Sequence, residues 1–283
     1  MKPKILLISI ALFLIYGTSF SQQPSSIKRT TYKSDVIPFG SGGTLSIIGA
    51  PNGSIKIEGW QRSEIEINAE IEVAAGNDAD LKRLSSVVGF ITEESLGRTA
   101  ILTIGPHDRK AIMKLDKKFP KHLIGSTYAV NYTLKVPRYI DLQIDGGKGD
   151  LVVTGVDGMI KLNHLDGNST IDLVGGSILA TIGSGTVNIT IPTRSWRGRF
   201  AEINLAKGEM NISLPTGLNA YFDASILRSG RIDNQFTSFA PRDRKGEFTE
   251  RSIVAKTGTG SVPLKFTIGD GTMRIREIGP PGA

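Results

Sequence analysis

From Glu64 to Val73 apolar and polar residues alternate without a break. Ile65, Ile67, Ala69, Ile71 and Val73 are set against Glu64, Glu66, Asn68, Glu70 and Glu72. A period of two belongs to an extended strand with one buried and one wet face. The same alternation returns at Val130, Tyr132, Leu134 and Val136, then at Ile140, Leu142 and Ile144. It recurs at Val187, Ile189 and Ile191, at Met210, Ile212 and Leu214, at Val262, Leu264, Phe266 and Ile268, and at Met273 and Ile275. Neighbours such as Asn188 and Asn211 then face outward while Ile189 and Ile212 face the core.

Glycine and Asx residues punctuate these runs: Gly146-Gly147-Lys148-Gly149-Asp150, Asp157-Gly158, Asp166-Gly167-Asn168, Gly175-Gly176 and Gly183-Ser184-Gly185. Such residues supply the positive-φ positions of tight turns. The intervals between them leave no room for crossover helices, so the pattern predicts an array of short strands, a sandwich, barrel or solenoid. One stretch departs from it. Leu81, Leu84, Val87 and Val88 fall at helical spacing over 78–88, behind Asn77 or Asp78 as N-cap, which predicts one short helix against a sheet. His107 to His122 reads as a long basic loop between strands, with Arg109, Lys110, Lys114, Lys117, Lys118 and Lys121 against Asp108 and Asp116.

The first residues change the compartment. Met1-Lys2-Pro3-Lys4 is a short cationic start, Ile5 to Tyr16 is apolar except for Ser9, and Ser19-Phe20-Ser21 offers a small-x-small cleavage site. Cleavage is expected between Ser21 and Gln22; an uncleaved membrane anchor is the other reading. Residues 1–21 are thus expected to be a signal peptide and 22–34 a polar linker. A β-repeat domain follows over 35–278, with longer strands and the helix in 35–145, short-strand repeats in 146–278, and a tail over 279–283. The chain carries 34 Lys and Arg against 27 Asp and Glu. Loss of Lys2 and Lys4 with the signal leaves 32 against 27, a mild positive excess that suits an acidic glycan or envelope surface. Export and the lack of a concentrated basic stripe argue against nucleic acid. No cysteine is present, so no disulfide supports the fold. No later segment has the roughly 20 apolar residues a spanning helix needs.

Gly53-Ser54-Ile55-Lys56-Ile57-Glu58-Gly59-Trp60, Tyr132-Thr133-Leu134-Lys135-Val136-Pro137 and Gly149-Asp150-Leu151-Val152-Val153-Thr154-Gly155 come in that order. Gly183-Ser184-Gly185-Thr186-Val187-Asn188-Ile189 and Gly269-Asp270-Gly271-Thr272-Met273-Arg274-Ile275 repeat the theme. Over about 40–278 this succession resembles the bacterial putative adhesin family of exported β-strand-repeat proteins. The resemblance implies an all-β, right-handed β-solenoid or β-helix-like stack of short strands. It implies a periplasmic, surface-associated or secreted protein, with no catalytic residues to carry over.

Catalytic signatures are few. His107, His122 and His164 make no zinc-type pair, and no nucleophile elbow or P-loop occurs. Asp145, Asp150, Asp157, Asp166 and Asp172 sit in or near turns, where such residues usually cap backbone. No enzyme, metal or cofactor is therefore expected. The alternative is a carbohydrate-active β-helix enzyme, a polysaccharide lyase or hydrolase, which needs carboxylates converging in one groove. The N-x-Ser/Thr triplets at Asn131, Asn168, Asn188 and Asn211 read as polar strand positions. The candidate contact for an anionic glycan or envelope component is Arg194, Trp196, Arg197 and Arg199. There an exposed indole would stack on a sugar between guanidinium groups. The competing packing has Trp196 closing the core at a turn with the arginines in solvent.

Overall fold

The computed structural model describes residues 26–194, 196–236, 239 and 249–278. The expected signal, its Ser21–Gln22 site and the tail lie outside the described residues. Four strands come first: β1 (Ile27–Pro38), β2 (Thr44–Asn52), β3 (Ile55–Trp60) and β4 (Glu64–Ala75). Then come α1 (Asp78–Ser85), β5 (Gly89–Ser95), β6 (Arg98–Ile104), α2 (Arg109–Leu115), β7 (Tyr128–Pro137), β8 (Asp141–Lys148) and β9 (Leu151–Thr154). The rest is strand: β10 (Met159–Asp166), β11 (Ser169–Asp172), β12 (Ser177–Thr190), β13 (Phe200–Pro215), β14 (Ala220–Asn234), β15 (Ser252–Thr257) and β16 (Val262–Ile278).

The middle of the sheet is a parallel stack of bent coils. β2 with β3, β8 with β9, and β10 with β11 are half-strand pairs, whereas β12, β13, β16 and β14 run through as single long strands. Each coil lies in register on the next. Leu45, Leu142, Ile160, Ile178, Ala201, Leu264 and Phe222 form one inward row across the first halves. Ile57, Val153, Ile171, Ile189, Ile212 and Ile275 form another across the second halves. All of these side chains are buried. At the bend stands a column of positive-φ glycines: Gly53, Gly149, Gly167, Gly185, Gly208, Gly271 and Gly230. From Gly149 onward, a Cβ at each would overlap the backbone carbonyl of the preceding glycine in the column. The bend also shifts the inward parity: β13 buries Ala201, Ile203 and Leu205 before Gly208 and Met210, Ile212 and Leu214 after it.

Polar side chains tie the coils together 18 residues apart. Asn163 Nδ2 donates to Asp145 Oδ1 at 3.0 Å, Ser184 Oγ to Asp166 Oδ1 at 2.5 Å, and the Asn168 backbone N–H and Nδ2 both donate to Asp150 Oδ1 at 3.2 Å. Asp141 Oδ1 likewise takes the Met159 N–H at 2.7 Å. Asp145, Asp150 and Asp166 therefore bond the following coil rather than their own turn.

At its margins the sheet stops being a simple stack. β1 pairs antiparallel with β4, and β4 antiparallel with β7, on one side; β5 and β6 form an antiparallel hairpin on the other. The margins approach each other where Lys33 Nζ of β1 donates to the Phe90 carbonyl of β5 at 2.6 Å. The helix α1 packs against β1 and β4, with Asn77 capping it through the Asp80 N–H at 2.9 Å. Phe222, Phe236, Phe239 and Phe266 pack ring to ring beside β14 and β16.

The all-β expectation stands, but the whole is a nearly closed, barrel-like sheet and not clearly a right-handed solenoid stack. Antiparallel pairing folds the margins inward, where a solenoid would continue its coil. Three finer expectations are also corrected. Part of the 22–34 linker is strand, because β1 begins at Ile27 and is held along its length by β4. The repeat region is not built of short strands alone: β12, β13, β14 and β16 have 14, 16, 15 and 17 residues. The basic segment is not a plain loop. Its α2 is capped by Asp108 Oδ1 on the Ala111 N–H at 3.0 Å and anchored by buried Ile112, so a second helix joins the one expected.

The inward columns also carry polar residues, Ser169 and His164 among them. His164 is 5% exposed and fills the space that Gly146 leaves, since a Cβ on Gly146 would stand 2.6 Å from its Nδ1. Its Nε2 meets the Gly149 carbonyl at 2.9 Å, which assigns the proton to Nε2, and Nδ1 has no partner among the described residues. Burial depresses its pKa, with the Gly149 bond, Asp166 and Asp150 opposing the shift. Above the ordinary imidazole pKa of about 6.5 both folded and unfolded states are neutral. Below it the unfolded chain takes a proton the native site refuses, so stability falls with pH. Between about pH 7.5 and 5.5, His164→Leu should lose less stability to acid than the unmodified chain in urea unfolding. His107, also depressed by burial, keeps part of the slope. Parallel losses in both proteins would exclude His164 as a source.

Candidate functional site

The in-register stacking that builds the core also lines up the outward residues of the second halves. Opposite the inward row, Ser34, Asn68, Thr133, Lys56, Val152, Thr170, Asn188, Asn211 and Arg274 follow one another strand by strand. Asn211 Nδ2 donates to Asn188 Oδ1 at 2.9 Å. Ile189 and Ile212 are buried beneath them, so the inward and outward assignments of this face match the sequence pattern.

Where the row reaches β1 it widens into a polar groove of about 460 Å3, lined by Tyr32, Ser34, Ser54, Asn68, Glu70, Asn131 and Thr133. Register explains the convergence: Tyr32 lies opposite Glu70, Glu70 opposite Asn131, and Ser54 accompanies Asn131 at the next strand. Asn131 Oδ1 accepts the Ser54 N–H at 2.9 Å, and Ser34 Oγ donates to Asn68 Oδ1 at 2.7 Å. These bonds orient both amides. Asn131 Nδ2, the Glu70 carboxylate and the Thr133 hydroxyl have no side-chain hydrogen bond among the described residues. Tyr32 is 76% exposed beside them. An aromatic face next to oriented amide, carboxylate and hydroxyl groups can stack on an apolar sugar face and bond its hydroxyls. Sequence reading passed over this site because Tyr32 lay in the expected linker.

The candidate cluster is divided by the structure. Trp196 is 6% exposed and its ring packs against Gly198, where a Cβ would overlap it. Its indole N–H is buried without a partner among the described residues. Of the two packings the sequence left open, Trp196 takes the one that closes the core at the β12–β13 turn, where its large apolar ring leaves water. Arg194, Arg197 and Arg199 are exposed and make no ion pair among the described residues. Of the other histidines, His122 meets Asp80 at 3.0 Å, and His107 Nδ1 meets the Tyr128 hydroxyl beneath the basic segment. Among the described residues no group of three or more His, Asp or Glu is placed to hold a metal ion. None of the helices among them is long and apolar enough to cross a membrane.

No family model matches the chain, and no curated protein does. Among solved structures it is similar to a putative cell adhesion protein from Clostridium sporogenes, with 13% identity, 88% of this chain and 100% of that one covered, and a TM-score of 0.48. It is also similar to a putative adhesin from Bacteroides fragilis, with 10% identity, coverage of 88% and 97%, and a TM-score of 0.36. A putative lipid binding protein from Parabacteroides distasonis has 10% identity, coverage of 88% and 97%, and a TM-score of 0.25.

Proposed function

We propose that this protein is an exported, non-catalytic binding module of the adhesin type that holds a glycan on the outer face of its sheet. The observation that carries the reading is Tyr32, standing exposed beside the oriented Asn131 amide, Glu70 and Thr133. The aspartates of the coil turns support it from the other side. Asp141, Asp145, Asp150 and Asp166 are each engaged by the next coil, which is a structural use of carboxylates and not the converging pair a lyase or hydrolase needs. The signal-like first 21 residues and the sequence resemblance point to the envelope or the outside of the cell. The parallel coils supply a rigid, solenoid-like platform for the polar row.

The exposed Arg194, Arg197 and Arg199 extend the reading to acidic glycans, and one experiment separates the two surfaces. Binding is measured to immobilised neutral and acidic polysaccharides for Tyr32→Ala and for Arg194, Arg197 and Arg199 changed together to Ser. Tyr32→Ala should weaken capture of any bound glycan about tenfold, the loss of roughly 1–1.5 kcal/mol of stacking. The arginine variant should weaken only acidic polysaccharide and lower the salt sensitivity of what remains. Neither should shift stability by more than about 0.5 kcal/mol, as for exposed positions generally. Trp196→Ala, by contrast, should cost about 3 kcal/mol or more, since it empties a buried site. A protein that binds no polysaccharide, or binds equally well after both changes, would sink the proposal.

A further inference from the structure

Another concave surface among the described residues has different chemistry and lies on the basic segment. Between α2 and the strands β2, β5 and β6 runs a groove of about 480 Å3. Its floor and walls are Ile48, Ile91, Leu102, Ile104 and Ala111, with Leu115 at the lip. Ile48, Ile91 and Leu115 are exposed, Leu115 by 60%. Hydrophobic side chains gathered around a cleft, unlike those scattered singly, mark a binding surface. Lys110 and Lys114 stand on the rim, one helical turn apart on the face of α2 that lines the groove. Arg109, Lys117, Lys118 and Lys121 surround them, and none of these six cations makes an ion pair among the described residues.

His107 adds a neutral donor. Its Nδ1 is occupied by Tyr128, whose pKa burial pushes up so that the hydroxyl keeps its proton and donates it. The imidazole is left with its N–H on Nε2, beside Gly49 on the groove wall.

We infer that this groove binds a single-chain anionic amphiphile, an acyl chain lying on Ile48, Ile91 and Leu102 with its acidic head on Lys110 and Lys114. The volume is that of a small-molecule site, in the range of about 300–1,000 Å3, and a bilayer face would meet a protrusion rather than a cleft. Glu93 and Asp108 also line the groove, so an acidic head is favoured only on the Lys110 and Lys114 side, and a continuous sheet of anionic head groups would be opposed. The site is separate from the Tyr32 groove, so either can fail without the other.

The test titrates the full chain with monomeric decanoate and with decanol below their aggregation concentrations, and sediments it with phosphatidylglycerol vesicles. Decanoate should bind one to one and more tightly than decanol. Lys110→Ser with Lys114→Ser should weaken decanoate about three- to tenfold and leave decanol unchanged, as expected for two exposed charge contacts. Ile91→Glu should weaken both ligands. Because these positions are exposed, unchanged circular dichroism melts keep the comparison interpretable. Absence of saturable decanoate binding, binding indifferent to these substitutions, or binding to vesicles alone would each overturn the inference; the last would make the segment a membrane-surface contact.

Discussion

Gly185→Ala should unfold the protein or lower its melting temperature by about 10 °C or more. Gly185 sits at the bend of β12 with φ at +124°, between Gly167 on one coil and Gly208 on the next. An L residue in such a region costs on the order of 1–3 kcal/mol from its dihedral alone. Steric overlap adds to that, because the new Cβ would overlap the Gly167 carbonyl, which is backbone and cannot rotate away. Relief requires the coils to separate, and separation breaks the parallel ladder on both sides. Native stability is only about 5–15 kcal/mol, so one such rupture is a large share of it. Gly217→Ala is the control. Gly217 also has positive φ, +75°, but an added Cβ would meet nothing within 4 Å. It should lose only the dihedral cost, on the order of 1–2 kcal/mol. A thermal melt of both proteins decides the matter, and equal shifts would mean that the glycine column has no steric role.

The same glycines explain what the sequence could and could not convey. Alternation in β4 is unbroken, and its burial alternates residue by residue as the pattern requires. In β13 the alternation changes phase at Gly208, so one continuous strand reads as two short ones separated by a turn. The column itself was written in the sequence as Gly149, Gly167 and Gly185 at constant spacing of 18 residues. It was masked by the longer turns that place Gly208 and Gly271 off that period. Antiparallel β1 was hidden because most of its residues face solvent and carry no apolar period. The helix α2 was hidden by its basic composition, although Asp108 and Ile112 supply a cap and an anchor. The direction of Trp196 is set by room beside Gly198, a tertiary fact that no local pattern contains. The Tyr32 groove is likewise tertiary, because its residues come from β1, β4 and β7 and from the residue before β3.

Ile189→Asp should be at least as damaging as the glycine change and for an independent reason. Ile189 is 1% exposed and lies between Ile171 and Ile212 in the inward row. Emptying a site of this kind costs about 2–5 kcal/mol before any charge is considered. A carboxylate placed there has no described cation to pair with and must be ionised at a desolvation cost or protonated against its ordinary pKa. The combined loss approaches the whole stability of the domain. Asn188→Asp is the matched control one position away. Asn188 faces outward and its Oδ1 accepts from Asn211, a bond an aspartate oxygen can also accept, so the cost should stay within about 0.5 kcal/mol. Acid distinguishes a buried charge from a mere cavity. Desolvation raises the pKa of the introduced carboxyl in the native state above its unfolded value of about 3.9. The native state then holds the proton more strongly, and the stability of the variant relative to Ile189→Ala should rise as pH falls from about 7 towards 4. Urea unfolding of the three variants at both pH values measures this. If Asn188→Asp and Ile189→Asp cost the same, or if the Ile189→Asp deficit is indifferent to pH, then the inward row does not run through position 189 and the register of the whole stack is displaced by one residue.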